Sequence, residues 1–200
     1  MPFVLPRPAP GFVQAECDEF DREYRLEEDA LGQLWTKFPG NTETSQVLLK
    51  VLALNKLYST RINDKDVEPM ARHISGLDLD PLLEKRSLEA VKQIANCPGL
   101  NVKYSFATKF CSWCTWRTMD AYPIYDGNVD RCLWCYRKQD GFAKFRREDL
   151  RCYEKFHNAI ADFRACYELD AAIFTFKQLD KFLWRLGDQI LKGRFGTDCP

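Results

Sequence analysis

Apolar residues recur at helical spacing through most of the chain and nowhere alternate in the two-residue rhythm of a strand. Over about 45–60, Val47, Leu48, Val51, Leu52 and Leu54 form a nearly continuous apolar side, which predicts a deeply buried helix capped from Asn41, Thr42, Glu43 or Thr44. Val67, Met70, Ala71 and Ile74 predict a shorter helix over 64–75. Leu82, Leu83, Leu88, Val91 and Ile94 follow Pro81 and predict a helix over roughly 84–96 that ends at Pro98-Gly99. Further helices are expected over 104–114, 127–138, 149–168 and 176–192, the last opened by a capping box, Thr175-x-x-Gln178. At the front, the first dozen residues read as a proline-punctuated extended arm, and one helix is expected from Cys17 to Lys37, before Pro39-Gly40. The pattern predicts an all-α fold without internal repeats.

Two hundred residues suffice for one domain or two closely packed lobes with a real core. No apolar run approaches membrane-spanning length, so no membrane partner is expected. The stretch from Met1 to Pro8 is too rich in proline for a signal peptide, which points to the cytoplasm. In that compartment the nine cysteines are expected as reduced thiols or ligands. The formal net charge is zero, which weakens any case for strong sequence-independent nucleic-acid binding. The charge is unevenly spread, however. Residues 16–29 are acidic and residues 137–151 are basic, a distribution compatible with holding a few phosphates or with a solvated face.

One stretch carries more chemistry than the rest. Pro123-Ile124-Tyr125-Asp126-Gly127-Asn128 leads into a helical pattern of Val129, Cys132, Leu133 and Tyr136, which sets Asp126 at a helix N-terminus. Backbone N–H groups and the helix dipole favour a negative charge there. Upstream, the helix ending at Pro98-Gly99 and the helix beginning near Tyr104 make a helix, a turn and a helix. This order, with Asp126, Val129 and Arg131 in an Asp-x-x-Val-x-Arg pattern, resembles the helix-hairpin-helix DNA glycosylase superfamily over about residues 46–138. The chain departs from that family's compact Gly-x-Gly hairpin, carrying Leu100-Asn101-Val102-Lys103 instead. It also resembles a divergent group of bacterial proteins sharing Ser-x-Ala-Thr-Lys (Ser105 to Lys109) and Tyr-Pro-Ile-Tyr-Asp (Tyr122 to Asp126).

The resemblance implies two closely packed helical lobes with a cleft between them: a central lobe over 46–138, joined by an N-terminal arm and helix (1–45) and a C-terminal lobe (139–200). It implies a monomeric, cofactor-free hydrolase that binds duplex DNA and cuts the N-glycosidic bond of a flipped-out damaged or modified base, leaving an abasic site in base excision repair or phage defence. Asp126 would stabilise the oxocarbenium-like sugar or orient water. Lys109 is a candidate Schiff-base nucleophile, although hydrolysis without lyase activity is the expectation. Asn55, Tyr58 and Ser59 are candidates for the base pocket, and Trp116, Tyr122 and Tyr125 for stacking on it. Gly99, Asn101, Lys103 and Arg131 are candidates for the DNA backbone.

A reading from another class is a non-catalytic helical DNA-binding or interaction module, stabilised by structural zinc. Cys111-x-x-Cys114 and Cys132-x-x-Cys135, separated by seventeen residues, fit a four-cysteine template, or an iron–sulfur cluster with the same ligands. Against this, both pairs fall inside predicted helices, and Cys132 lies on an apolar face where a free cysteine packs as a small hydrophobe. His73 and His157 are the only histidines, far apart in sequence, and offer no site of their own.

Overall fold

The computed structural model describes residues 3–117 and 120–196, which are all-helical with no strand among them. Ten α-helices follow one another among the described residues. They are α1 (Pro10–Glu23), α2 (Arg25–Lys37), α3 (Thr44–Leu57), α4 (Asp64–Ser75) and α5 (Leu79–Glu84), followed by α6 (Glu89–Ala95), α7 (Tyr104–Thr115), α8 (Gly127–Asp140), α9 (Tyr153–Cys166) and α10 (Phe176–Leu191). A 3-10 turn over Arg147–Arg151 precedes α9. Among the described residues no helix is long and apolar enough to cross a membrane.

The helices predicted from apolar spacing are present, and four boundaries differ for local reasons. The expected arm is shorter and α1 starts earlier, because Pro10 occupies the first turn, where its missing N–H and fixed φ cost nothing. The single helix expected over 17–37 is two: Tyr24 leaves helical geometry at φ −111° and ψ 21°. The helix expected over 84–96 is broken by Arg86 at φ 54°, a left-handed turn between α5 and α6. The segment expected as helix from 149 opens as the 3-10 turn. The capping box of α10 is half made: Thr175 Oγ1 accepts from Gln178 N at 3.3 Å, whereas Gln178 Oε1 has no partner among the described residues.

The contacts divide the chain into two compact units, residues 25–122 and residues 1–24 with 123–200. These bounds differ from the expected 1–45, 46–138 and 139–200, and the break at Tyr24 explains the first of them. Val13, Cys17 and Phe20 bury one face of α1 within the second unit, while Leu31 and Trp35 bury α2 within the first.

In the unit of residues 25–122, α3 packs on α4 and α6 on α7. Its core includes Val47, Val51, Leu54, Met70, Ile74, Val91, Ile94, Phe106, Phe110 and Trp113, each side chain contributing on the order of 1.5–3 kcal/mol through burial. After α3 the chain turns through Ser59 (φ 49°) and Arg61 (φ 59°), conformations that non-glycine residues seldom adopt. Asn55 holds this turn. Its Oδ1 accepts from Ile62 N (2.9 Å) and Thr60 Oγ1 (3.0 Å), and its Nδ2 donates to Ile62 O (2.7 Å).

In the other unit α10 packs on α8 and on α1. Phe176, Leu179, Phe182, Leu183, Leu186 and Ile190 line its buried side. Its polar margin meets the acidic run of α1: Arg185 pairs with Glu16 and Glu23 (both 2.9 Å) and Lys181 pairs with Asp21. Part of the acidic run of residues 16–29 therefore holds two helices together. α10 approaches the start of α8 closely. A Cβ on Gly187 would lie 2.1 Å from the carbonyl oxygen of Asn128 and 2.7 Å from its Cα, so only glycine fits.

Gly187→Ala is expected to destabilise the protein by about 3 kcal/mol through overpacking. For a chain of this size that lowers the melting midpoint by roughly 6–12 °C, read by circular dichroism. Asn55→Ala, which leaves the Ile62 backbone without its clamp, is expected to cost about 2 kcal/mol and to speed amide exchange at Ile62.

Candidate functional site

Asp126 sits where its sequence context predicts, as the N-cap of α8 with extended backbone (φ −144°, ψ 158°). The side chain is half-buried, and Oδ1 accepts from Asn128 N at 2.9 Å. Gly127 is exposed, so the first turn of the helix is open on that side. One turn on, Asp130 is buried to 8 % exposure and is neutralised by Arg147 at 2.7 Å. Tyr125 is half-buried with its ring edge-on to Phe156 at 5.4 Å, and its hydroxyl donates to Asp130 at 3.4 Å. Burial and the neighbouring Asp130 push the Tyr125 phenol up. Arg131 turns back along its own helix, donating to Asn128 Oδ1 at 2.9 Å. It buttresses the helix start, which differs from the free backbone-binding arm expected of it.

The unit of residues 25–122 gathers a second constellation. Lys109 is no surface charge: it is 3 % exposed on α7. Its ammonium donates to Ser105 Oγ at 3.0 Å and lies 5.7 Å from the centre of the Tyr58 ring. The Tyr58 hydroxyl donates to Glu28 Oε1 at 2.6 Å, and the same ring meets Trp113 edge-on at 6.5 Å. An amine, a phenol and a carboxylate are thus held in a row by α7, the end of α3 and α2. Trp116 closes the row: it is 38 % exposed, tilted against Trp113 at 5.2 Å, with Arg117 above its ring at 4.6 Å. Gly32 makes room for it, since a Cβ there would meet the indole at 3.0 Å.

Other candidates have structural duties. Tyr122 is 2 % exposed and donates to the carbonyls of Ser87 (3.1 Å) and Leu82 (3.4 Å), so the stacking expected of it is not open to its ring. Asn55 has its amide engaged by Ile62 and Thr60, which removes it from the expected base pocket. Ser59 is exposed at the crest of that turn.

Between α6 and α7, Leu100 N bonds to Cys97 O at 3.1 Å with Pro98 second and Gly99 third at φ 79°, the residue order of a type II turn. Lys103 N closes the hairpin on Ala95 O at 2.9 Å. Gly99 and Asn101 are exposed at its tip, while Lys103 is half-buried at the start of α7.

A polar cluster not anticipated from the sequence lies in the same unit. Lys50 is fully buried, donating to Gly40 O (2.9 Å) and Asn41 Oδ1 (3.0 Å), with its amine 5.3 Å from the Trp35 ring centre. Burial pushes its amine down, and the neighbouring Cys114 and Asp80 oppose that shift. Asn41 in turn donates to Asp80 Oδ1 at 2.6 Å, and Trp35 Nε1 donates to Cys114 Sγ at 3.4 Å. The signal was present: a lone lysine interrupts the apolar run from Val47 to Leu52 on the side that Val47, Val51 and Leu54 bury.

The cysteine template fares differently from its spacing. Cys111 and Cys132 are completely buried thiols, pushed well up by burial, and burial pushes Cys114 up to about 11. Cys135 is disulfide-bonded, which corrects the expectation of thiols or ligands throughout and withdraws its sulfur as a thiolate ligand. Among the described residues no group of three or more His, Cys, Asp or Glu is placed to hold a metal ion.

A family model described as HI_0787_N, N-terminal domain, matches residues 12–118. An uncharacterised protein of Haemophilus influenzae is 36% identical over 185 residues, covering 89% of this chain and 84% of the relative. No solved structure matches the chain. With over half its length inside the family model and a relative aligned along most of the rest, the chain belongs to the HI_0787_N family.

Proposed function

We propose that this protein is a DNA glycosylase-type hydrolase that extrudes a damaged or modified base and cuts its N-glycosidic bond with Asp126. The observation that carries the reading is the half-buried Asp126 carboxylate, fixed by Asn128 N at the mouth of α8 beside an exposed Gly127. Free N–H groups and the helix dipole favour the anion at such a position. Departure of a base leaves positive charge on the deoxyribose, and a fixed carboxylate beside it stabilises that charge. At about 4 Å and an effective dielectric near 20 this contributes on the order of 4 kcal/mol. In rate that is a factor of about a thousand.

The α6–α7 hairpin supports a DNA-backbone role for Gly99 and Asn101. Their amides, with that of Val102, are at an exposed tip and donate to no protein acceptor among the described residues. Tyr125, half-buried next to Asp126, offers aromatic surface to an extruded base. Lys109 serves as a fixed buried cation beside Tyr58 in the hydrolytic reading.

The bond from Asn128 N to Asp126 also favours a second reading, in which the carboxylate only caps α8 and the protein is a non-catalytic DNA-binding module. Asp126→Asn separates the two, because asparagine caps a helix as well as aspartate does. The variant is expected to melt like the parent and to bind DNA equally. Release of abasic sites from a panel of modified duplexes, read by alkali cleavage, should fall about a thousand-fold. Undiminished release rejects Asp126 as the catalytic group. Borohydride added during turnover is expected to trap no covalent protein–DNA complex; a trapped complex that disappears in Lys109→Gln would assign lyase chemistry to that amine.

A further inference from the structure

The outer face of α8 carries a feature that the reading above leaves unused. Trp134 is half-buried, and two cations of the next turn lie over its ring: the guanidinium of Arg137 at 5.2 Å and the ammonium of Lys138 at 5.8 Å from the centroid. Neither cation has a carboxylate partner among the described residues. This sets them apart from the cations around α10 and the 3-10 turn, where Lys181, Arg185, Arg146 and Lys155 are each in an ion pair. Nor does an acid on α8 offset them. Asp130, one turn before Trp134, is covered by Arg147, and Asp140 accepts from Tyr167 on another side of the helix. Toward the Asp126 end Arg151 adds positive charge near the Tyr125 phenol.

We infer that this stripe of α8, centred on Trp134, Arg137 and Lys138, is a binding surface for the phosphate backbone of DNA. The inference rests on the reading of the protein as acting on DNA and names the surface that grips the strand. The four-residue interval from Trp134 to Lys138 spans about 6 Å along the helix. One strand of duplex DNA carries a phosphate about every 3.4 Å of axis, so the stripe covers roughly two of them. Trp134 keeps the two cations in one place through cation–π contact, which lowers the ordering needed when a phosphate arrives. A chain of zero net charge can bind phosphate only through such local excess.

The test uses the full chain and a labelled DNA duplex of about 20 base pairs, titrated by anisotropy between about 50 and 200 mM salt. Arg137→Glu with Lys138→Glu is expected to weaken binding at least tenfold and to reduce the salt slope of log K by about two. Arg137→Ala with Lys138→Ala should show the same slope change without reversed charge, and Trp134→Ala, with both cations retained, a severalfold loss. The control is Lys65→Glu with Lys85→Glu, two exposed lysines of the other unit with an equal change in net charge, which should leave the slope unaltered. An unchanged slope in the α8 variants, or an equal loss in the control, overturns the inference. If the slope falls as expected but the parent releases no base, the stripe stands and the glycosylase reading fails. If the parent binds no duplex at all, both fall.

Discussion

Everything proposed for Asp126 depends on the start of α8 being held in place, and one close contact does most of that holding. Gly187 brings α10 against the backbone of Asn128 so tightly that no side chain fits between them. Asn128 N also fixes the Asp126 carboxylate, and Arg131 ties the Asn128 side chain to the next turn. Asn128 is thus pinned through its backbone and its side chain at once. A carboxylate intended to face developing positive charge is useful only if it cannot move away, because preorganisation is what gives electrostatic stabilisation its magnitude. The strongly amphipathic α10, buried along Phe176, Leu179, Phe182, Leu183 and Leu186, supplies the energy for that approach.

The unit of residues 25–122 uses a different device, buried lysines. Lys50 and Lys109 both lie inside, on α3 and α7, and each is accommodated by oxygen acceptors and an aromatic face. Burying an ammonium is unfavourable unless such partners are present, so their arrangement is strongly specified. Around Lys50 the partners belong to the turn at Gly40 and Asn41, and Asp80 accepts from Asn41, which ties that turn to the start of α5. Around Lys109 they include Tyr58, whose hydroxyl reaches Glu28. The first group explains packing; the second places amine, phenol and carboxylate in the same row as a partly exposed tryptophan.

Charge is the third theme, and location matters more than the total. The acidic stretch of α1 is partly neutralised by Lys181 and Arg185 of α10, so it acts as a helix-to-helix clamp. In the basic stretch after residue 136, Arg146, Arg147 and Lys155 are paired with nearby acids, whereas the two cations over Trp134 have no carboxylate partner among the described residues.

Apolar periodicity alone determined the all-helical class, the span of α4, and the position of Asp126 at the head of α8, because these depend on residues a few positions apart. Val47, Val51 and Leu54 mark a buried stripe wherever they occur, and an aspartate followed by Gly-Asn caps the helix it precedes. The breaks at Tyr24 and Arg86 were not legible: each is a single residue leaving helical geometry inside a pattern that otherwise continues. Nor could spacing say that Asn55 clamps a turn, that Tyr122 is sealed among carbonyls, or that Lys109 lies inside while Lys138 lies outside. The Asn55 clamp is local but needs a turn of rare backbone geometry, and the other outcomes are set by which surfaces meet across long sequence separations, information only the packed chain contains.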